Sequence, residues 1–290
     1  RLSGSRRIHS CNWRSKACFF SITFNSAWGY WISACLSNVS FALLLFSALG
    51  YFFPAFGAGN NLLSIVCASV FLWFLTALVL RGVKEAAGIN TIVTLAKLVP
   101  LGLFVLSIVL LGKFNVDIFM DNFWGEPAGP GFGEQVVSTM IALVWVFTGI
   151  EGAVVISGRA KYVRDVGRST AFGFAAVFTL YLIISLLSLG IMPRAEMAQL
   201  ATPSMAGILE RAIGPVGAAI VNLGVILSLV GAMLGYVIIA SETPFEAARQ
   251  GSFPLAFAKT NKHDAPVVTI LVSSGITQLF LIVSYVAAST

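Results

Sequence analysis

Charge is what this chain has least of. Asp, Glu, Lys and Arg make up 10% of its 290 residues, against about 25% in a soluble domain. So little charge argues against a water-soluble globular protein. Histidine occurs twice, as His9 and His263, and the four cysteines (Cys11, Cys18, Cys35 and Cys67) form no C-x-x-C pair. Without a His/Cys cluster, neither a metal site nor a disulfide framework is expected. There is no nucleophile–base pair and no cofactor motif, so the chain does not read as an enzyme and no cofactor is expected. Strict polar–apolar alternation is missing too, which argues against a transmembrane β-barrel.

Apolar residues fill the space, at 58% of the chain and a mean hydropathy of +0.90. Runs long enough to cross about 30 Å of hydrocarbon as helices lie at 28–52, 62–80, 89–111, 136–157, 170–191, 215–240 and 266–287. The pattern predicts an all-α polytopic membrane protein with seven transmembrane spans. Charge sits in the joints between them. Fourteen of the 18 Lys and Arg fall on one side: five within 1–16, Arg81, Lys84, four within 159–168, Arg249, Lys259 and Lys262. Lys113, Arg194 and Arg211 fall on the other. By the positive-inside rule the first side, with the N-terminus, is cytoplasmic. The net charge of +6 therefore reports topology, not affinity for nucleic acid, and the lipid bilayer is the partner that the composition requires.

Two motif matches lose their meaning in context. "NVS" at 38–40 resembles a glycosylation sequon but lies within a span, and "GPGFGE" at 129–134 resembles a phosphate loop but follows no strand. Residues 1–23 are basic and Ser-rich with no acid. They lack the apolar core and small-residue cleavage site of a secretory signal.

Three ionisable side chains interrupt the apolar spans: Glu151, Lys97 and, nearer the cytoplasmic end, Glu242. Each costs about 2.5–3.5 kcal/mol at mid-bilayer, so such groups face a cavity or a partner. A buried pair that fastens helices is the bland alternative for all three. In "TGIEG" Glu151 is flanked by Gly149 and Gly152, and each glycine lowers helix propensity by about 1 kcal/mol relative to alanine. A broken helix bares backbone groups, which membranes tolerate only where they line a cavity or protein. Secondary transporters bind substrate at such breaks, and a carboxylate there is placed to exchange a proton. Trp145, Gly149 and Gly152 share one helix face, where Trp145 can stack on a cation or serve as a packing or interface residue. Ser33, Ser37 and Ser40 form a stripe beside Asn38, suited to interhelical hydrogen bonds or to ligand contact. Ser228, Gly231, Gly235 and Glu242 form a small-residue stripe that includes "GAMLG", which is mostly packing chemistry.

Several segments carry a family resemblance, in order along residues 24–290. They are "TFNSAWGYWISACLSNVS", "LGYFFPAFG", "LRGVKEAAGINTIVTLAKLVPL", "WVFTGIEGAVVISGRAKYVRDVG", "TPSMAGILE" and "GAMLGYVIIASETPFEAARQGSFPLAFAKTN". Together they resemble the arginine/ornithine antiporters, a basic amino acid/polyamine group within the amino acid–polyamine–organocation superfamily. The resemblance implies two inverted five-helix repeats, about twelve helices in all, whose broken first and sixth helices hold the substrate's amino and carboxylate groups. The seven spans then correspond to helices three to nine, and the TGIEG break to the sixth.

The resemblance also implies roles for particular residues. Trp145 stacks on the substrate's cationic side chain, and backbone around Thr148, Gly149 and Ile150 receives its carboxylate. Asn38 contacts the head group, and Tyr236 stands as a gate where relatives often carry Trp. Glu151 gates or responds to protons, while Lys97 stands where some proton-coupled relatives use lysine in place of a sodium ion. The implied substrates are arginine and ornithine, with lysine as a third, at the cell inner (plasma) membrane. A homodimer is compatible with the resemblance.

Residues 1–23 do not resemble the family, no counterpart of its first or second helix is visible before residue 24, and the sequence stops after the ninth. The expectation is a partial five-plus-five fold over 24–290, truncated at both ends and inactive in transport as written. An inactive permease fragment or a broader-specificity amino acid permease is the alternative. A seven-helix receptor fits poorly, because its N-terminus lies outside.

Overall fold

Apolar sequence in a medium without water leaves the backbone only itself to bond to, and helices satisfy it within one segment. A computed structural model describes residues 13–82, 98–124, 131–147, 149–150, 162–200 and 203–289, and all regular structure among them is helical. The described helices of eight residues or more are α1 (Trp13–Gly50), α2 (Leu62–Arg81), α3 (Leu98–Leu110), α4 (Val116–Trp124), α5 (Phe132–Phe147), α6 (Val163–Leu189), α7 (Ser204–Ile213), α8 (Pro215–Arg249) and α9 (Val267–Ser289).

Among the described residues five segments are long and apolar enough to cross a membrane: Phe24–Gly50, Leu62–Arg81, Arg164–Leu189, Pro215–Arg249 and Val267–Ala288. They coincide with five of the expected spans. The other two, 89–111 and 136–157, lie partly outside the described residues and are represented by α3 and α5. α1 and α8 overrun their expected ends, at 38 and 35 residues, or about 57 and 52 Å at 1.5 Å per residue. Hydropathy marks the apolar stretch of a helix and not its ends, which continue past the hydrocarbon where local propensity allows.

α1 and α8 run antiparallel at the centre. Val39, Ala42, Leu45 and Phe46 of α1 pack with Leu229, Met233, Val237 and Ile238 of α8, and α2 and α9 close the same core with Leu72, Leu75, Ile270 and Leu281. Lipid tails are as apolar as these side chains, so packing and interhelical hydrogen bonds hold the bundle, not exclusion of water. Between α2 and α9 those bonds are explicit. Thr76 donates to Leu72 O at 2.8 Å, which leaves Ser274 to donate across the 2.8 Å gap to Thr76 Oγ1. One end of the interface has Gln278 Nε2 donating to Ser69 Oγ at 2.9 Å. Beyond the other, Asn261 Nδ2 donates to Leu80 O at 2.8 Å.

Pro244 lies inside α8. Proline has no N–H, so the carbonyl four residues back, that of Ala240, loses its helical partner. Ser273 of α9 takes over that bond, donating Oγ to Ala240 O at 2.9 Å. Ser273 Oγ also accepts from Trp31 Nε1 of α1 at 2.8 Å. One serine hydroxyl thus ties three helices at the proline. Ser241 and Thr243 donate to Ile238 O and Ile239 O, which covers the neighbouring carbonyls. Glu242, singled out in the sequence, is 1% exposed beside this proline.

A second polar tie sets the end of α6. Asn122, on α4, donates Nδ2 to Leu189 O and Met192 O at 2.6 and 2.9 Å, and its Oδ1 accepts from Arg194 N at 2.9 Å. It supplies partners for carbonyls that a helix end leaves open. Asn122→Leu is expected to destabilise the protein by about 1–3 kcal/mol, since the groups it served become unpaired. Unfolding by denaturing detergent in mixed micelles checks this, and an unchanged midpoint would contradict it.

Candidate functional site

The sequence break in TGIEG has a structural counterpart. α5 stops at Phe147, and Gly149 and Ile150 form a turn with Gly149 at φ +110°. That backbone conformation is left almost entirely to glycine. Phe147 fixes the end of α5 against α6, its ring 5.5 Å from Phe174 and 6.3 Å from both Phe178 and Tyr181.

The turn meets α8. A Cβ on Gly149 would lie 2.7 Å from the Tyr236 hydroxyl oxygen, so the absent side chain is what lets the phenol reach the turn. Phe41 of α1 packs edge-on against the Tyr236 ring at 5.0 Å and 80°. Gly149 and Tyr236, two of the expected site residues, are therefore brought together, and Ile150 stands beside them at 36% exposure. Phe41 was missed in the sequence, although it lies three residues past Asn38 and so on the same helix face.

Asn38 is buried at 1% exposure. With its amide turned to α8, it donates to Met233 O at 3.2 Å and accepts from Val237 N at 3.3 Å, two residues one helical turn apart that flank Tyr236. It fastens α1 to α8 and so sets where Tyr236 stands relative to Phe41. The serine stripe beside it does not bridge helices among the described residues. Ser33 and Ser40 are exposed, and Ser40 Oγ donates within α1, to Leu36 O. The backbone of Trp145 is in α5, but its side chain lies outside the described residues, as do Lys97, Thr148 and Glu151. Among the described residues no group of His, Cys, Asp and Glu could hold a metal ion.

Chemically, the arrangement sets a glycine turn next to the ring and hydroxyl of a tyrosine. The N–H groups of a turn suit an anion, and aromatic faces suit a cation. Among the described residues no nucleophile is paired with a base here.

Residues 11–290 match the amino acid permease family. That match begins inside the basic N-terminal segment, part of which α1 also includes. The chain is 46% identical over 265 residues to an arginine/ornithine antiporter of Pseudomonas aeruginosa, covering 90% of this chain and 54% of that one. It is 43% identical over 273 residues to a putative arginine/ornithine antiporter of Escherichia coli K12, with 92% and 59% covered. An arginine/agmatine antiporter of Chlamydia trachomatis is 37% identical over 272 residues, with 92% and 56% covered. The chain spans somewhat more than half the length of these relatives. They are transporters and not enzymes. With its five apolar spans and a family match over nearly its whole length, this is a multi-pass membrane protein that belongs to the amino acid permease family.

Proposed function

We propose that the chain forms the substrate-binding part of a secondary transporter that exchanges cationic amino acids, arginine for ornithine, across the cell inner membrane. The observation that carries this reading is the Gly149 turn held against Tyr236. An amino acid with a cationic side chain has a carboxylate for a turn's N–H groups and a cation for aromatic faces. In this reading backbone at Thr148–Ile150 takes the carboxylate, Trp145 and Tyr236 flank the cation, and Asn38 acts as a positioning residue through α8. Glu151 and Lys97 respond to protons or gate the cavity. In this reading the N-terminus lies in the cytoplasm, which the excess of Lys and Arg on that side supports.

Exchanging one monovalent cation for another moves no net charge, so no membrane potential is needed to drive it. Each substrate shifts the balance of outward-open and inward-open states through its different affinity for the two. Counterflow in proteoliposomes of the full-length protein tests the proposal. Labelled arginine is supplied outside, with ornithine, leucine or buffer inside. Uptake stimulated by internal ornithine and not by leucine is the expected result, and equal uptake under all three conditions would overturn it.

A further inference from the structure

Away from Gly149, the α1–α8 pair opens into a pocket of about 810 Å³, a size that suits a whole small ligand. Its walls are the last turns of α1 with Ser47 and Tyr51, the first turns of α8 with Asn222, and α7 with Glu210. Gly59, at φ +82°, lies against this part of α1, where a Cβ would meet Leu43 O and Ser47 N. That close approach brings the loop carrying Gly57 and Ala58 onto the pocket.

Two features give the pocket a sign. Asn222 is 2% exposed. Its Nδ2 donates to Ala218 O at 2.9 Å, while its Oδ1 is buried with no partner among the described residues. A buried acceptor without a donor costs free energy that a ligand N–H can restore. Glu210 is the only charged residue among those described around the pocket, and it is exposed. An acceptor at the floor and a carboxylate in the wall favour a compact organic cation with several N–H donors, since a guanidinium presents five.

We propose that this pocket is a second binding site, separate from the Gly149–Tyr236 turn, for a guanidinium or primary ammonium group. Glu210 draws in the charge and Asn222 Oδ1 accepts an N–H. By the distribution of Lys and Arg the pocket faces outward, where a cationic solute would meet it before reaching the turn.

The test is binding of methylguanidinium to the full-length protein in lipid nanodiscs, followed by calorimetry. Glu210→Gln and Asn222→Leu should each weaken binding at least fivefold, and Asn222→Asp should tighten it. The same pattern is expected in a Tyr236→Leu background, where the other site has lost its ring. Equal affinity in all variants, no binding to the unsubstituted protein, or weakening by Asn222→Asp as well as by Asn222→Leu would overturn the proposal. Because the readout is equilibrium binding, failed arginine exchange with this pattern intact would count against the proposed function alone.

Discussion

Gly149→Ala is expected to lower arginine–ornithine exchange at least tenfold in the full-length protein without preventing membrane insertion. Two costs combine. Alanine at a φ of +110° carries backbone strain of about 1–3 kcal/mol, and its Cβ would press on the Tyr236 hydroxyl at 2.7 Å. Tyr236 has little room to yield, because Phe41 meets its ring at 5.0 Å. The turn, the ring or both must move, and displacement at a binding site is paid in affinity. Tyr236→Phe in the same protein removes the hydroxyl contact but not the strain, so the double variant should recover part of the loss. Initial rates of counterflow decide the matter. An alanine variant exchanging at the original rate would show that the turn is not where substrate binds.

The second large effect is expected at Ser273. Its hydroxyl serves both Ala240 O and Trp31 Nε1, and Ser273→Ala leaves two buried groups unpaired. At about 1–3 kcal/mol for each, the protein should lose several kcal/mol of stability, read as a lower unfolding midpoint in mixed micelles. The origin of the loss can be checked separately. Pro244→Ala restores an N–H for Ala240 O, so the combined variant should be more stable than Ser273→Ala alone. If Pro244→Ala gave no recovery, the carbonyl freed by proline would not be the group that Ser273 serves.

Much of the architecture was legible in apolar run length, because in hydrocarbon a long apolar run has few options other than a helix. The same reasoning misplaced helix ends. α8 continues through Pro244 to Arg249 because Ser273, distant in sequence, replaces the missing bond. Nothing in the local sequence around Pro244 announces that partner. The break at TGIEG was legible from glycine chemistry alone, and Gly149 is where the helix has turned aside. What stands against the break was less so. Tyr236 entered through family resemblance, and Phe41 was invisible because its role depends on how α1 and α8 are registered. The family resemblance implies a substrate contact at Asn38, and in the fold its amide, turned to α8, reaches Met233 and Val237. A polar residue in an apolar helix has the same appearance in sequence whether it binds a ligand or a neighbouring helix.

The central claim is that substrate binds at the turn beside Tyr236, and alkylation of a single cysteine tests it most directly. In full-length protein with Cys11, Cys18, Cys35 and Cys67 replaced, a cysteine is introduced by Ile150→Cys, at a partly exposed position next to Gly149. A control is introduced by Phe172→Cys on α6, where the native side chain is 83% exposed. Arginine at saturating concentration should slow labelling at position 150 severalfold and leave position 172 unchanged, with leucine affecting neither. Equal labelling rates at position 150 with and without arginine would contradict the account.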